Sequence, residues 1–254
     1  MIIQVALENT WKYFLRRVEH LKAGELLISY LKKSRVCHQN EGERNFHFFY
    51  QMLAGLDDKK KRELNLTSPE DFPYLSDSKC YTVSGIDDAK DFNEVMQSME
   101  IVGLKKEVQQ SIITLMAGIL HLSCITFGEE KNQATVKSLN SVNLAAECFQ
   151  IDAKGLVKVL ISRDMESKWG KTSELIVMEH NKEQAIFALD AISKAVYART
   201  FSYLVDAINH EIDISNSQKS IGILDIYGFE IFSKNGFEQF CINYVNEKLQ
   251  QIFI

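Results

Sequence analysis

The sequence has little glycine and proline: its 254 residues include 12 glycines and 2 prolines. This excludes collagen-like repeats and the Pro/Gly-rich compositions of disordered chains. The hydrophobic content is 46% and the charged content is 25%, which is typical of a globular protein with a sizeable core. We therefore expect one or two compact domains.

The sequence also lacks an excess of positive charge. Lys and Arg number 29 against 34 Asp and Glu, for a net charge of -5, so the basic footprint of a nucleic-acid-binding protein is missing. The five cysteines include no C-x-x-C pair, which predicts reduced thiols. The first residues have no basic region like that of a signal peptide, and the apolar stretch Ile112–Phe127 is too short to cross a bilayer. These absences predict a cytoplasmic protein with no nucleic-acid partner and no membrane contact from this segment.

Apolar residues at three- and four-residue spacing predict a mainly helical fold. The predicted helices cover Gly24–Lys33, Asn45–Leu56, a segment from near Ala89 capped by Asp87 or Asp88, Lys105–Leu120, Lys182–His210 and a segment from Phe237 onward. Pro69 and Pro73 mark an irregular segment, and the polar stretch Gly128–Thr135 predicts a loop. The basic run Lys59–Arg62 is expected to be solvated. Four aromatic residues are expected in the core: Phe46, Phe48, Phe49 and Tyr50.

The short apolar run Ile221–Gly228 predicts a buried strand instead. Asp225 would lie at its carboxyl end, where phosphate-handling enzymes place a carboxylate near Mg²⁺. Gly228 would let a backbone N–H approach a phosphate closely, because no Cβ intervenes, and Glu230 would be placed to pair with a cation. The same residues also fit a simple turn after a strand, and the local pattern alone favours the turn.

Two other segments suggest chemistry that their surroundings do not support. Gly170-Lys171-Thr172 resembles the end of a phosphate loop, but Met165 stands where the first glycine of G-x-x-x-x-G-K-[ST] is required. Cys37 with His38 suggests a metal ligand pair, but no second close pair supplies the remaining ligands. We expect a solvated loop in the first case and structural or exposed side chains in the second.

Several longer blocks in one shared order resemble the myosin motor domain, most closely that of a class I, short-tailed heavy chain. The resemblance extends from about Lys12 to Ile254. It implies a partial motor fold of the P-loop NTPase type, mainly α with a few β-strands, one of them over Lys12–Val18. The blocks are Lys33–Val36, Glu43–Gln51, Gly85–Asp88, Ile119–Leu122, Asp190–Ala195, Asp225–Glu230, Phe237–Gln239 and Asn243–Gln251.

This resemblance implies an actin-activated ATPase that uses ATP and Mg²⁺. The block Asp225–Glu230 is similar to switch II of the family: Asp225 would orient the water shell of Mg²⁺ and Gly228 would hydrogen-bond the γ-phosphate. Glu230 would pair with a switch I arginine and close the site around the attacking water. The segment that follows would begin the relay helix, whose expected functional positions are Phe237, Glu238, Asn243 and Glu247.

The resemblance also implies an actin-facing surface loop over Arg163–Glu179. In the family an acidic or phosphorylatable residue stands sixteen positions before the Asp of the D-A-x-x-K block, and counting back from Asp190 gives Glu174. Arg163, Lys171 and Glu174 are therefore expected to contact actin filaments. An acid at position 174 implies actin binding that does not await phosphorylation there, and a shift of one residue in this count would reverse that inference.

The family pattern divides the chain into three parts. Residues 1–20 would be a divergent amino-terminal part with the strand after switch I, residues 21–220 a helical upper subdomain, and residues 221–254 switch II with the start of the relay helix. The chain contains no phosphate loop, and Ala6–Trp11 stands where the switch I residues are expected. Glu230 would therefore lack its family partner, and we expect the isolated chain not to hydrolyse ATP.

The expected partners are actin filaments, the other parts of the motor and calmodulin-type light chains in a full-length protein, all in the cytoskeleton. Two alternatives remain open at this stage. In the first alternative, the chain is a non-catalytic helical module that binds actin or another partner. In the second, it is a truncated product without an independent function.

Overall fold

The computed structural model describes residues 2–5, 25–27, 33–169, 172–212, 222–225, 228–231 and 235–253. The helices in these ranges are α1 (His47–Gly55), α2 (Asp58–Glu63), α3 (Pro73–Ser76), α4 (Asp88–Ile101), α5 (Lys106–Ser123), α6 (Leu139–Phe149), α7 (Ala153–Ile161), α8 (Lys182–Ile212) and α9 (Phe237–Phe253). Two 3₁₀ segments cover Lys33–Val36 and Pro69–Asp71. The strands are β1 (Ile2–Val5), β2 (Glu25–Leu27), β3 (Phe127–Glu130), β4 (Gln133–Val136), β5 (Ser162–Trp169), β6 (Thr172–Glu179) and β7 (Gly222–Asp225). The predicted fold, mainly α with a few strands, is confirmed.

The strands form one parallel sheet and two antiparallel hairpins. The parallel sheet has the order β2-β1-β7, and its central strand pairs Ile3 with Ile223 and Val5 with Asp225. Strands β3 and β4 form one hairpin, and β5 and β6 form the other. Because the sheet is parallel, the carboxyl ends of β1 and β7 meet at one edge, which is where ligands of such sheets are usually bound.

The core is built mainly from helices. Its larger cluster joins α1, α4, α5 and the carboxyl half of α8. Phe46 stacks on Tyr197 with ring centroids 4.4 Å apart, which is a favourable offset geometry for aromatic rings. A smaller cluster joins the end of α5 with α6, α7 and the start of α8. The predicted core positions are confirmed, since Phe46, Phe48, Phe49 and Tyr50 are all buried.

Aspartate side chains cap the amino ends of several helices, among them α4, for which the sequence predicts a cap. The carboxylate of Asp87 accepts a hydrogen bond of 3.0 Å from the backbone N–H of Lys90, which confirms the predicted start of α4. Asp57 caps α2 in the same way at 2.7 Å. Each cap satisfies a backbone donor that the first turn of a helix leaves unpaired. The helix α2 buries no side chain, so the basic run 59–62 is solvated as predicted.

The predicted helices that begin near Asn45, Ala89, Lys105, Lys182 and Phe237 are confirmed. The predicted helix over Gly24–Lys33 is wrong for the residues of this range that the structure describes. Residues Glu25–Leu27 form strand β2, and residues 33–36 form a 3₁₀ turn. The short apolar pair Leu26-Leu27 fits either structure, and parallel pairing with β1 selects the strand. The predicted strand at Lys12–Val18 lies outside the described residues.

The predicted loop over Gly128–Thr135 is also wrong. These residues lie in the hairpin β3–β4, which turns at Lys131 and Asn132 with φ values of 50° and 65°. Two consecutive positive φ values are typical of the type I′ turn that suits the twist of a hairpin. The hairpin buries Phe127 and Ala134. The sequence conceals the turn because a lysine occupies the first position, where glycine or asparagine is usual.

Among the described residues, no helix has the length and apolar character that spanning a membrane requires. The five cysteines are free thiols.

Candidate functional site: a strand end held by a helix

The segment 228–231 follows strand β7 and lies against helix α9. Strand β7 ends at Asp225, and residues 226–227 lie outside the described residues. Helix α9 then begins at Phe237, and its apolar and amide side chains repeat at helical spacing. Hydrogen bonds place Gly228 and Glu230 against the first three turns of this helix.

A side-chain amide on α9 binds the backbone of this segment at Glu230. The Oδ1 atom of Asn243 accepts a hydrogen bond of 2.9 Å from the backbone N–H of Glu230, and its Nδ2 atom donates one of 2.8 Å to the carbonyl of the same residue. Asn243 is 8% exposed. Two hydrogen bonds in a nearly dry position fix both the distance and the orientation of the two groups.

Two further amides extend this contact along the helix. The Nε2 atom of Gln239 donates to the carboxylate of Glu230 at 2.8 Å, and the Nδ2 atom of Asn246 donates to the carbonyl of Gly228 at 2.9 Å. Residues 239, 243 and 246 are spaced as i, i+4 and i+7, so their side chains lie on one face of the helix. We call Gln239, Asn243 and Asn246 the amide row.

The backbone at Gly228 is open on its other side. Apart from its chain neighbours, no heavy atom of the described residues lies within 4 Å of the position that a Cβ would occupy there. A phosphate oxygen has room to approach this peptide, as the sequence predicts for a glycine at this position. The residues therefore fit a phosphate-containing ligand next to the carboxyl edge of the parallel sheet.

An open cavity of about 480 Å³ adjoins the segment, between it and the first turns of α9. Phe229, Phe240 and Tyr244 line it, and each is more than half exposed. Glu247 stands on its rim. Exposed aromatic side chains grouped in this way usually belong to a surface that another part of a protein covers.

Of the residues that the sequence assigns to this site, the structure places Gly228 and Glu230 against helix α9. Asp225 ends β7, and Gly228 and Glu230 lie beside α9, which contains the four expected relay positions Phe237, Glu238, Asn243 and Glu247. Phe237 is 79% exposed and touches Phe240 through its ring. Glu230 accepts a hydrogen bond from the amide row. Sequence reasoning gave no role to Gln239 and Asn246, although their i, i+4, i+7 spacing with Asn243 would have indicated a shared face.

The predicted actin-facing loop is the hairpin β5–β6. Arg163 pairs with Met178 in the register and Glu174 pairs with Ser167. Arg163 is exposed, and Lys171 lies outside the described residues. The hairpin is not a loop as predicted but a regular ladder, and its apolar side chains are exposed to an unusual degree: Met165, Ile176, Val177 and Met178.

Hydrogen bonds fix the base of this hairpin to the rest of the fold. The backbone N–H of His180 donates to the carbonyl of Ile161 at 2.7 Å, and the N–H of Ala134 donates to the carbonyl of His180, also at 2.7 Å. The hairpin β5–β6 is therefore tied to the hairpin β3–β4 at the start of α8.

Asp190, the aspartate used for the family count, lies in a polar network on α8. Its carboxylate accepts hydrogen bonds of 2.9 Å from the hydroxyl of Tyr74 and from the ring of His38. The bond to Asp190 raises the pKa of His38. Burial raises the pKa of the neighbouring Cys37 thiol to about 12, so this cysteine stays protonated at neutral pH. No group of three or more possible metal-ligating side chains occurs among the residues described.

Known proteins resemble this chain over most of its length. The family model described as "Myosin head (motor domain)" matches residues 16–254. The chain is 45% identical over 255 residues to Myosin IB heavy chain from Dictyostelium discoideum, an alignment that covers 96% of this chain and 23% of that protein. It is 44% identical over 236 residues to Unconventional myosin IC from Drosophila melanogaster, with coverage of 91% and 22%. It is 42% identical over 235 residues to Myosin-5 from Candida glabrata, with coverage of 91% and 19%.

The chain belongs to the myosin head (motor domain) family. The resemblance to class I myosin heavy chains that the sequence predicts is confirmed by relatives of that name. The chain spans less than a quarter of the length of each of these three relatives.

Proposed function

We propose that this chain is part of an actin-based cytoskeletal motor, in which it couples the state of a bound nucleotide to the binding of actin filaments. Membership of the myosin head family supports this function. The observation that carries the proposal is the double hydrogen bond between Asn243 and the backbone of Glu230. It links the segment next to the proposed phosphate site directly to a long helix that leads away from it.

In this proposal the segment after β7 is switch II. Asp225 and Gly228 would hold Mg-ATP, Asp225 through the water shell of the metal and Gly228 through its backbone N–H. The Mg²⁺ ion neutralises charge on the phosphate oxygens when it is bound. The carboxylate of Glu230 is held by Gln239 and, in a complete site, would pair with a switch I arginine. Such chemistry depends mostly on position and electrostatics, so each residue acts through its placement.

Helix α9 is proposed to be the start of the relay helix. A displacement of the backbone at Gly228 or Glu230 would pull on the amide row, because four hydrogen bonds join the segment to one face of the helix. The helix would then change its packing against whatever covers Phe237, Phe240 and Tyr244. Glu238 and Glu247 lie on the same helix as further relay positions.

The hairpin β5–β6 is proposed to bind actin filaments through Arg163, Lys171 and Glu174. Its fixed base and exposed apolar strands support this role. We propose further that residues 21–220 form the upper subdomain of the motor and residues 1–20 the strand after switch I. Light chains of the calmodulin type and the other parts of the motor would be partners in a full-length cytoplasmic protein.

Cosedimentation of the 254-residue chain with actin filaments tests the actin-binding part of this proposal. We expect binding that ATP does not change, and weaker binding for the double variant Arg163→Ala/Lys171→Ala. The matched control is the double variant Lys59→Ala/Lys90→Ala, which removes two cations from exposed positions on α2 and α4. Equal binding by the double variant and the control would contradict the proposed actin surface.

Phosphate release tests the catalytic part. The motif G-x-x-x-x-G-K-[ST] does not occur in these 254 residues, so we expect no actin-stimulated hydrolysis of ATP by the chain alone. Measurable actin-stimulated phosphate release would overturn that expectation. The absence of this motif also supports the second candidate, a non-catalytic module that binds actin or another partner. ATP-independent cosedimentation with no release is the outcome that this candidate requires.

A further inference from the structure

Ser68 stands in an exposed Ser-Pro dipeptide that the proposed motor function does not use. It precedes Pro69 between helix α2 and the 3₁₀ segment Pro69–Asp71. Its backbone is extended, with φ -81° and ψ 158°, and the residue is exposed, as is Thr67 before it. Proline disfavours the helical conformation for the residue before it, so the Ser68 hydroxyl lies on an extended and accessible segment of the kind that a kinase can approach.

The hydroxyl of Ser68 is held only by a local, solvent-exposed contact. It donates a hydrogen bond of 3.2 Å to the carboxylate of Asp71. An exposed hydrogen bond contributes little net stability because water competes for both groups. The segment is fixed from the other side instead, since Phe72 and Tyr74 are buried. The hydroxyl is thus available for reaction while its backbone position is maintained.

A lysine faces the same space as this hydroxyl. Ser68 and Lys61 both line an open cavity of about 460 Å³, together with side chains of α1 and of the segment 66–70. The neighbouring Lys59 and Lys60 pair with Glu63, whereas Lys61 forms no ion pair among the residues that the structure describes. Arg44 also lines the cavity, but Asp88 already pairs with its guanidinium. Lys61 is therefore the cation in this cavity that a new anion would engage.

We propose that Ser68 is a phosphorylation site for a proline-directed serine/threonine kinase, and that the phosphoserine pairs with Lys61 across the cavity. In the transfer, the Oγ atom of Ser68 forms a bond to the γ-phosphorus of the nucleoside triphosphate bound to the kinase. The bond from that phosphorus to the β-bridging oxygen breaks, the nucleoside diphosphate leaves, and the hydroxyl proton passes to the base of the kinase.

The charges around the site determine where the phosphate goes. A phosphoserine has a charge of about -1.5 to -2 near neutral pH, so Glu70 and Asp71 repel it and the hydrogen bond from Ser68 to Asp71 is lost. Lys61, which lines the same cavity, attracts it with three donors for the three phosphate oxygens. The new ion pair would join α2 to the proline segment and narrow the mouth of the cavity.

Phosphorylation of the full chain by a purified proline-directed kinase, followed by mass spectrometry of peptides, tests the site. We expect one phosphate on Ser68, its loss in Ser68→Ala and its retention in Ser68→Thr and in the neighbouring control Thr67→Ala. Pro69→Ala keeps the hydroxyl and is expected to abolish incorporation. Incorporation that Ser68→Ala does not reduce would overturn the site. Full incorporation in Pro69→Ala would overturn proline direction and indicate recognition through Glu70 and Asp71.

Phosphorus NMR of the phosphorylated chain tests the pairing with Lys61. A nearby ammonium favours the doubly charged phosphate, so we expect Lys61→Gln to shift the titration midpoint of the phosphoserine to higher pH. The matched control Lys59→Gln removes the same charge from an exposed position on the same helix and is expected to leave the midpoint nearly unchanged. Equal shifts in the two variants would overturn the ion pair.

Discussion

The side chain of Asn243 pairs with the backbone of Glu230 as a neighbouring β-strand would, accepting from its N–H at 2.9 Å and donating to its carbonyl at 2.8 Å. An amide offers an acceptor and a donor side by side, which is the pattern that one residue of a strand presents. A shorter side chain at 243 would not reach, and a carboxylate would lack the donor. The contact therefore depends on asparagine itself.

Asn243→Ala should loosen the segment 228–231 at one identifiable amide, the backbone N–H of Glu230. The variant removes the acceptor of the Glu230 N–H, so this amide should exchange with solvent faster in hydrogen-exchange mass spectrometry. Loss of the two bonds is expected to lower the free energy of unfolding by about 1–3 kcal/mol. Asn246→Ala removes only the hydrogen bond to the carbonyl of Gly228. The amide of Glu230 should therefore exchange more slowly in Asn246→Ala than in Asn243→Ala. Gln251→Ala, which loses only an exposed contact with Lys248, serves as the neutral control.

Arg44→Met should be among the more destabilising single changes. The guanidinium is buried, lies 3.9 Å above the centroid of the Tyr50 ring, and donates to both carboxylate oxygens of Asp88. Removing one member of a buried ion pair leaves the other charge unpaired, which typically costs about 3–5 kcal/mol. Chemical denaturation measures the loss. The double variant with Asp88→Asn should recover part of it, and a fully additive double variant would contradict the coupling.

A comparison of two glycines separates packing from helix propensity. At Gly55 in α1, an added Cβ would lie 2.5 Å from the Cβ of Phe92, which is buried in α4. Gly55→Ala would force the two helices apart and should cost about 1–3 kcal/mol. At Gly155 in α7 the nearest atom would be 3.5 Å away. Gly155→Ala should therefore stabilise the protein by about 0.5–1 kcal/mol, because alanine favours the helix. Thermal unfolding of both variants checks the opposite signs.

The pair formed by His38 and Asp190 should make stability depend on pH. The hydrogen bond to Asp190 raises the pKa of His38 above its ordinary 6.5, so this stabilisation is complete below pH 6.5 and is lost as the pH rises through the raised value. Burial alone would raise the pKa of Asp190, but the bonds from His38 and Tyr74 outweigh it and the pKa is lowered below 3.8. That contribution is complete above pH 3.8 and is lost as the pH falls through the lowered value.

Unfolding of wild type and His38→Gln across the pH range tests this dependence. The difference between the two curves should be greatest between pH 3.8 and 6.5 and should shrink at higher pH. The comparison isolates His38, because the buried His121 titrates in both proteins. A difference that is constant from pH 5 to 9 would show that the imidazole acts only through packing. The effect is expected to be small, since the side chain of His38 is 70% exposed.

The long helices could be predicted from the sequence, and the pairing of short strands could not. The spacing of apolar residues along Lys182–His210 indicates α8, and Asp87 indicates the start of α4, because both signals are local. Strand β2 has three residues and exists because β1 lies beside it. Such pairing joins distant parts of the chain and leaves no periodic signal in so short a segment.

The candidate site shows the same division. The sequence places Asp225, Gly228 and Glu230 after a strand and before a helix, and the structure confirms that order. The sequence could not give the contacts of Gln239 and Asn246, because these contacts depend on how α9 packs against the segment 228–231. The catalytic roles of Asp225, Gly228 and Glu230 stay predictions.

Helix α8 contains 31 residues and at 1.5 Å per residue is about 46 Å long. Its amino end follows the joint of the two hairpins, and other parts of the same helix contact the 3₁₀ turn at Lys33–Val36 and strand β2. A force applied to the hairpin β5–β6 would therefore be transmitted to the parallel sheet through one continuous helix.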